Sequence, residues 1–151
     1  RALAVGALRL RILHVPGHAP DHIVLYEPAF ELLVTGDLLF VAAGYMVHEC
    51  LRAADELAKS GKKASVVDAY SFPLKTDAIL DLAARSGGRI ITVEDNYTGG
   101  LDAELATAIA GRDDEIQLRA LYVNRIPKSG REPQEVLEYC GVGLKQILAA
   151  V

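Results

Sequence analysis

Leu38-Leu39-Phe40-Val41-Ala42-Ala43-Gly44 runs without a break into Tyr45-Met46-Val47-His48-Glu49-Cys50-Leu51-Arg52-Ala53-Ala54-Asp55-Glu56-Leu57-Ala58-Lys59-Ser60-Gly61. The first part is a continuous apolar run, short enough for a strand buried on both faces, and Gly44 ends it. In the second part Val47, Leu51, Ala54 and Ala58 recur at three- and four-residue spacing, with Cys50 and Leu57 beside them. Glu49, Arg52, Asp55, Glu56 and Lys59 fill the opposite face. This period predicts an amphipathic helix that stops at Ser60-Gly61.

Working outward, the same unit repeats. Residues 64–69 read as a strand, 77–85 as a helix built on Ile79, Leu82 and Ala83, and 89–93 as a strand rich in β-branched residues. Leu101, Leu105, Ala108 and Ile109 form the next helical stripe, residues 117–123 the next strand, and 133–140 and 144–151 the closing helices. Strand and helix in alternation predict a parallel sheet with helices on both faces. Connections this short leave no room for a linker, so the whole of 1–151 is expected to be one domain.

Residues 1–37 are of another kind. Residues 7–15 and 23–27 are strand-like and 31–35 form a third apolar run, with Glu27-Pro28-Ala29-Phe30 as a turn between the last two. An antiparallel hairpin is expected there. Between the first two lie His14, His18 and His22; helical spacing would align them, but Pro16, Gly17 and Pro20 forbid a helix.

The composition excludes several classes of function. The chain has 151 residues, 51% hydrophobic and 24% charged, which is ordinary for a globular domain with a buried core. A net charge of -4, spread evenly along the chain, gives no electrostatic support for a nucleic-acid partner. The longest uncharged stretch, 38–47, is about half of what a bilayer-spanning helix needs, and the start lacks signal-peptide order. A cytoplasmic protein with no membrane partner is expected. Cys50 and Cys140, the two cysteines, fall in apolar helical patterns and read as buried free thiols.

Residues 8–40, through Pro16-Gly17-His18, Asp21-His22-Ile23 and Leu33-Val34-Thr35-Gly36-Asp37-Leu38-Leu39-Phe40, resemble the middle of a metallo-β-lactamase-fold hydrolase of the glyoxalase II type. That resemblance implies metal ligands at His18 and Asp37. The family's main motif, His-x-His-x-Asp-His, is absent. Recruiting His14 or His22 would give three protein ligands and an open position, the minimum for a zinc-activated water. Against this stands a vestigial proline-glycine turn with solvated or hydrogen-bonded histidines, carried over from a larger protein.

Residues 38–151 resemble the C-terminal domain of transketolases. The resemblance is carried by Ala43-Gly44-Tyr45-Met46-Val47-His48-Glu49, by Gly88-Arg89-Ile90-Ile91-Thr92-Val93-Glu94-Asp95 with Tyr97 and Gly99-Gly100, and by Val123-Asn124-Arg125-Ile126-Pro127-Lys128-Ser129-Gly130. Asn96 stands where that family frequently has histidine. The resemblance implies a three-layer α/β/α domain with a five-stranded mixed sheet. Together the two resemblances imply a chimera, in which the metallo-β-lactamase-like hairpin of 1–40 supplies an antiparallel edge strand to the transketolase-like part, 41–151.

The transketolase resemblance implies thiamine diphosphate and magnesium only in the full parent enzyme, because the Gly-Asp-Gly motif with its later asparagine is missing here. No cofactor is expected in isolation. The expected function is a non-catalytic structural or subunit-contact domain that associates with itself or with a thiamine-binding subunit. The alternative is a minimal metal-dependent hydrolase using the His/Asp loop. A crevice beyond the carboxyl ends of the strands would gather Asp68, Glu94, Asp95, Asn124 and Arg125, which either hold a cation, polyol or anion or cap helices and turns.

Overall fold

The computed structural model describes residues 38–151 in full and, ahead of them, the backbone of four strands. The chain divides into two compact units, 1–34 and 35–151.

In the first unit β1 (Ala2–Val5), β2 (Leu8–His14), β3 (Ile23–Glu27) and β4 (Leu32–Leu33) form a separate sheet in that order. All of its pairings are antiparallel, and β3 meets β4 with Tyr26 opposite Leu33, the pairing expected of a hairpin.

The second unit holds β5 (Leu39–Ala42), α1 (Tyr45–Lys59), β6 (Ser65–Asp68), α2 (Thr76–Arg85) and β7 (Arg89–Val93). It continues with α3 (Leu101–Ala110), β8 (Gln117–Leu121), α4 (Pro133–Cys140) and α5 (Leu144–Ala149). The strands lie in the order β6-β5-β7-β8, and every pairing among them is parallel. This corrects the expected mixed sheet with an antiparallel N-terminal edge strand. The hairpin spends its backbone groups on β2, inside its own sheet. β5, the run at which the two halves were expected to share an edge, is instead an interior strand bonded to β6 on one side and β7 on the other.

Side-chain alternation explains the layering. Phe40, Ala42, Ile91 and Val93 point to one face and pack with Met46, Cys50, Ala53 and Leu57 of α1 and with Ile147 and Ala150 at the end of the chain. Leu39, Val41 and Ile90 point to the other face and meet Ile79, Leu80 and Ala83 of α2 and Leu101 and Leu105 of α3. All four residues of β5 are fully enclosed, as a strand covered by helices on both faces requires. Burying each large aliphatic or aromatic side chain contributes about 1.5–3 kcal/mol.

The helix ends follow from local sequence. Pro133 opens α4, where its missing N–H costs nothing, and Gly141 closes it in the left-handed region at φ 88°. The buried stripe of α1 is Met46, Glu49, Cys50, Ala53 and Leu57, one position away from the expected stripe on Val47, Leu51, Ala54 and Ala58.

Candidate functional site: the carboxyl edge of the sheet

Because the four strands are parallel, their carboxyl ends share one edge, where open α/β sheets usually bind ligands. Asp68 ends β6 and Glu94 follows β7, so β5 separates them; at a strand spacing of about 4.8 Å they lie two strands apart. Asn124 and Arg125 follow β8, one strand further. The sheet therefore spreads the crevice residues along its edge. Among the described residues no three His, Cys, Asp or Glu side chains come together as metal ligands would.

Each member of the set has its own surroundings. Asp68 and Asp95 are exposed. The Glu94 carboxylate lies at the start of α3, within 3.5 Å of the Asp102 N–H, and against the Cα of Gly100, so closely that any side chain at position 100 would collide with it. A negative charge there offsets the positive end of the helix dipole. The Asn124 N–H donates to the Cys140 carbonyl at 3.1 Å, and its side chain lies against Gly141, where a Cβ would also collide. The Arg125 guanidinium stands 5.5 Å from the centre of the Tyr139 ring, and Lys128 Nζ stands 5.1 Å from the same centre.

Asp102 organises the loop before α3 and was not singled out from the sequence. It accepts hydrogen bonds from Thr98 Oγ1 at 2.6 Å and from the N–H groups of Gly99 and Gly100 at 2.9 Å each. Burial alone would raise its pKa; the donors at Thr98, Gly99, Ala103 and Gly100 outweigh burial together and hold it below the usual carboxylate value. Gly99 sits at φ 107°, which allows both N–H groups to turn toward one oxygen. Thr98-Gly99-Gly100 followed by an acid in the first helical turn was the available signal.

Glu49, expected on the solvent face of α1, is only 2% exposed and is held by Arg52 Nη1 at 2.8 Å. His48 stands edge-on to Tyr45, with ring centres 6.3 Å apart, and the Tyr45 hydroxyl accepts a hydrogen bond from Gln134 Nε2 at 2.9 Å. Cys50 and Cys140 are free and buried, as expected. Burial, followed by the adjacent Glu49 charge, pushes the Cys50 thiol up to about 12, which makes it a poor nucleophile.

Six large hydrophobic side chains are exposed among the described residues, and all six follow strand ends. Tyr45 comes after β5, Tyr70 and Phe72 after β6, Tyr97 after β7, and Tyr122 and Ile126 after β8. Tyr70 is 85% exposed and Ile126 80%. Periodicity did not mark them as a group, because Tyr70, Phe72, Tyr97 and Ile126 lie between elements, Tyr45 opens α1, and Tyr122 falls just past the end of β8 although the strand was expected to reach residue 123. His18, His22, Asp37 and the side chain of His14 lie outside the described residues; His14 closes β2 opposite Ile23.

A parallel three-layer α/β/α domain with exposed aromatic side chains along its carboxyl edge is the class that these features define. The family model for the transketolase C-terminal domain matches residues 33–147, and the chain belongs to that family. Transketolase-like protein 1 of Bos taurus is 35% identical over 143 residues, covering 87% of this chain and 24% of its own length. Human transketolase is 39% identical over 113 residues, covering 74% of this chain and 18% of its own length. Among solved structures, a split-gene transketolase, an inactive beta4 tetramer, superposes with a TM-score of 0.67 at 30% identity, covering 76% of this chain and 37% of the other. Transketolase from Campylobacter jejuni superposes with a TM-score of 0.53 at 21% identity, covering 78% of this chain and 17% of the other, which is a likeness of fold. The chain thus spans about a fifth to a quarter of the length of these curated relatives. It is a domain of transketolase C-terminal type.

These matches correct the expected chimera. The family match opens at Leu33, inside the stretch assigned to a metallo-β-lactamase-like segment, and the alignment to transketolase-like protein 1 covers too much of the chain to begin as late as that. Leu33-Val34-Thr35-Gly36-Asp37 belongs to the transketolase C-terminal match, and among the described residues no separate hydrolase segment is evident. The hydrolase alternative thereby loses the resemblance on which it stood. The Thr-Gly-Asp resemblance misled because a short apolar run closed by Gly-Asp suits the entrance to any buried strand.

Proposed function

We propose that the chain is a subunit-contact module of the transketolase type that associates with copies of itself and performs no ketol transfer alone. Thiamine diphosphate and magnesium are then held by other domains of the parent enzyme. The observation that carries this is the row of exposed aromatic and aliphatic side chains along one sheet edge, since isolated apolar side chains are common on surfaces but a concentration on one edge marks an interaction surface. The structural relative that is a beta4 tetramer supports self-association as the partner choice.

Sedimentation velocity across a concentration series tests it. The 151-residue chain should show reversible association, and the double substitution Phe72→Ser with Ile126→Ser should shift it to monomer while leaving the circular dichroism spectrum unchanged. Ketol transfer by the chain alone with added thiamine diphosphate and magnesium, or a strict monomer at all concentrations, would overturn the proposal.

A further inference from the structure

A cleft of about 430 Å³ opens beside the outer strand β8, walled by Arg119, Asn124, Arg125, Glu138, Tyr139 and Gln146. Its volume is within the range of small-molecule sites. Its charge is unbalanced: two guanidiniums and the nearby Lys128 face a single carboxylate, Glu138. Arg119 is fixed in place, its Nη1 donating to the Ala150 carbonyl at 3.1 Å, and its remaining N–H groups are left for other acceptors. Arg125 and Lys128 are brought to the same Tyr139 ring, 5.5 Å and 5.1 Å from its centre, and neither enters an ion pair among the described residues. Elsewhere in the unit, Arg52, Lys59 and Arg112 each find a carboxylate. Two cations held near one ring, with no carboxylate of their own, leave their N–H donors open to an anion.

We infer that this cleft binds the phosphate group of a small soluble ligand, with Arg125 and Arg119 as the guanidinium clamp, Lys128 as a further point charge and the Asn124 amide as a neutral donor. Guanidiniums match tetrahedral oxyanions through paired, charge-assisted N–H bonds, which chloride cannot reproduce. The Tyr139 ring restricts the Arg125 and Lys128 side chains before the ligand arrives, which lowers the ordering cost of binding. The cleft adjoins the proposed contact edge, since Asn124 and Arg125 lie between Tyr122 and Ile126, but the inference rests on cationic groups rather than on the exposed apolar side chains and is tested by a different measurement.

Titration of the full chain with inorganic phosphate, followed by amide NMR shifts and calorimetry, tests it against sodium chloride at matched ionic strength. Saturable shifts at Asn124, Arg125 and Tyr139 are expected, with a dissociation constant on the order of 1 mM. Arg125→Gln should weaken binding about tenfold and Arg125→Gln with Lys128→Gln further still, at unchanged melting temperature, whereas Lys62→Gln, at an exposed lysine in the turn after α1, should leave it unchanged. Equal shifts with chloride, affinity unaffected by the double substitution, or preferential capture by anionic phosphatidylglycerol vesicles would each overturn the assignment.

Discussion

Asp102 holds three donors from the residues just ahead of it, which makes the start of α3 depend on one carboxylate. Asp102→Ala leaves two backbone N–H groups and the Thr98 hydroxyl without that acceptor and should cost about 2 kcal/mol in denaturant unfolding. Its lowered pKa sets the sign of the acid response. The carboxylate contributes stability while pH stays above its unfolded value of about 3.9, and that contribution is lost as pH falls through the lower folded value. Urea midpoints measured from pH 6 downward should therefore fall in the wild type by more than in Asp102→Ala. Cys50 runs the other way: its folded thiol is pushed up to about 12, so its contribution is intact below the ordinary thiol pKa and is lost as pH climbs from there through the raised folded value. A thiol-specific colorimetric reagent at pH 8 should label Cys50 slowly in the folded chain and rapidly once denaturant is added.

Most element positions were legible because apolar runs and helical periods report burial directly. The strand expected at 89–93 is β7 (Arg89–Val93), and the helix expected at 133–140 is α4 (Pro133–Cys140). Which way α1 faces was not legible, because the Val47, Leu51, Ala54 and Ala58 stripe and the Met46, Cys50, Ala53 and Leu57 stripe are both apolar. The Glu49–Arg52 pair lets a carboxylate lie within the buried stripe, something that hydropathy alone assigns to solvent. Two substitutions separate the stripes. Ala53→Leu inserts volume into a fully enclosed position and should destabilise by about 1–3 kcal/mol, whereas Ala58→Leu, at an exposed position, should stay within about 0.5 kcal/mol of wild type in thermal unfolding. The crevice was legible only as a place. Pattern marks strand ends, but the strand order β6-β5-β7-β8, which separates Asp68 from Glu94 by a whole strand, is fixed by crossovers that the sequence does not number.

At the scale of the molecule, one unit builds an antiparallel sheet and the other a parallel one, and the exposed apolar side chains of the second gather on a single edge. Association through such an edge differs physically from association through charge. A net charge of -4 makes copies repel weakly, so added salt should strengthen contact or leave it unchanged, where an ion-paired interface would weaken. Cooling toward 4 °C should loosen the assembly, because the driving force for covering apolar surface fades at low temperature. Mass action links that assembly to stability: at a free-subunit concentration a hundredfold above the dissociation constant, association adds about 2.7 kcal/mol. The melting temperature of the wild type should therefore climb with protein concentration, and that of the Phe72→Ser, Ile126→Ser variant should not. A concentration-dependent melting temperature that survives the double substitution would place the contact on another surface, whereas one abolished by salt would make it electrostatic.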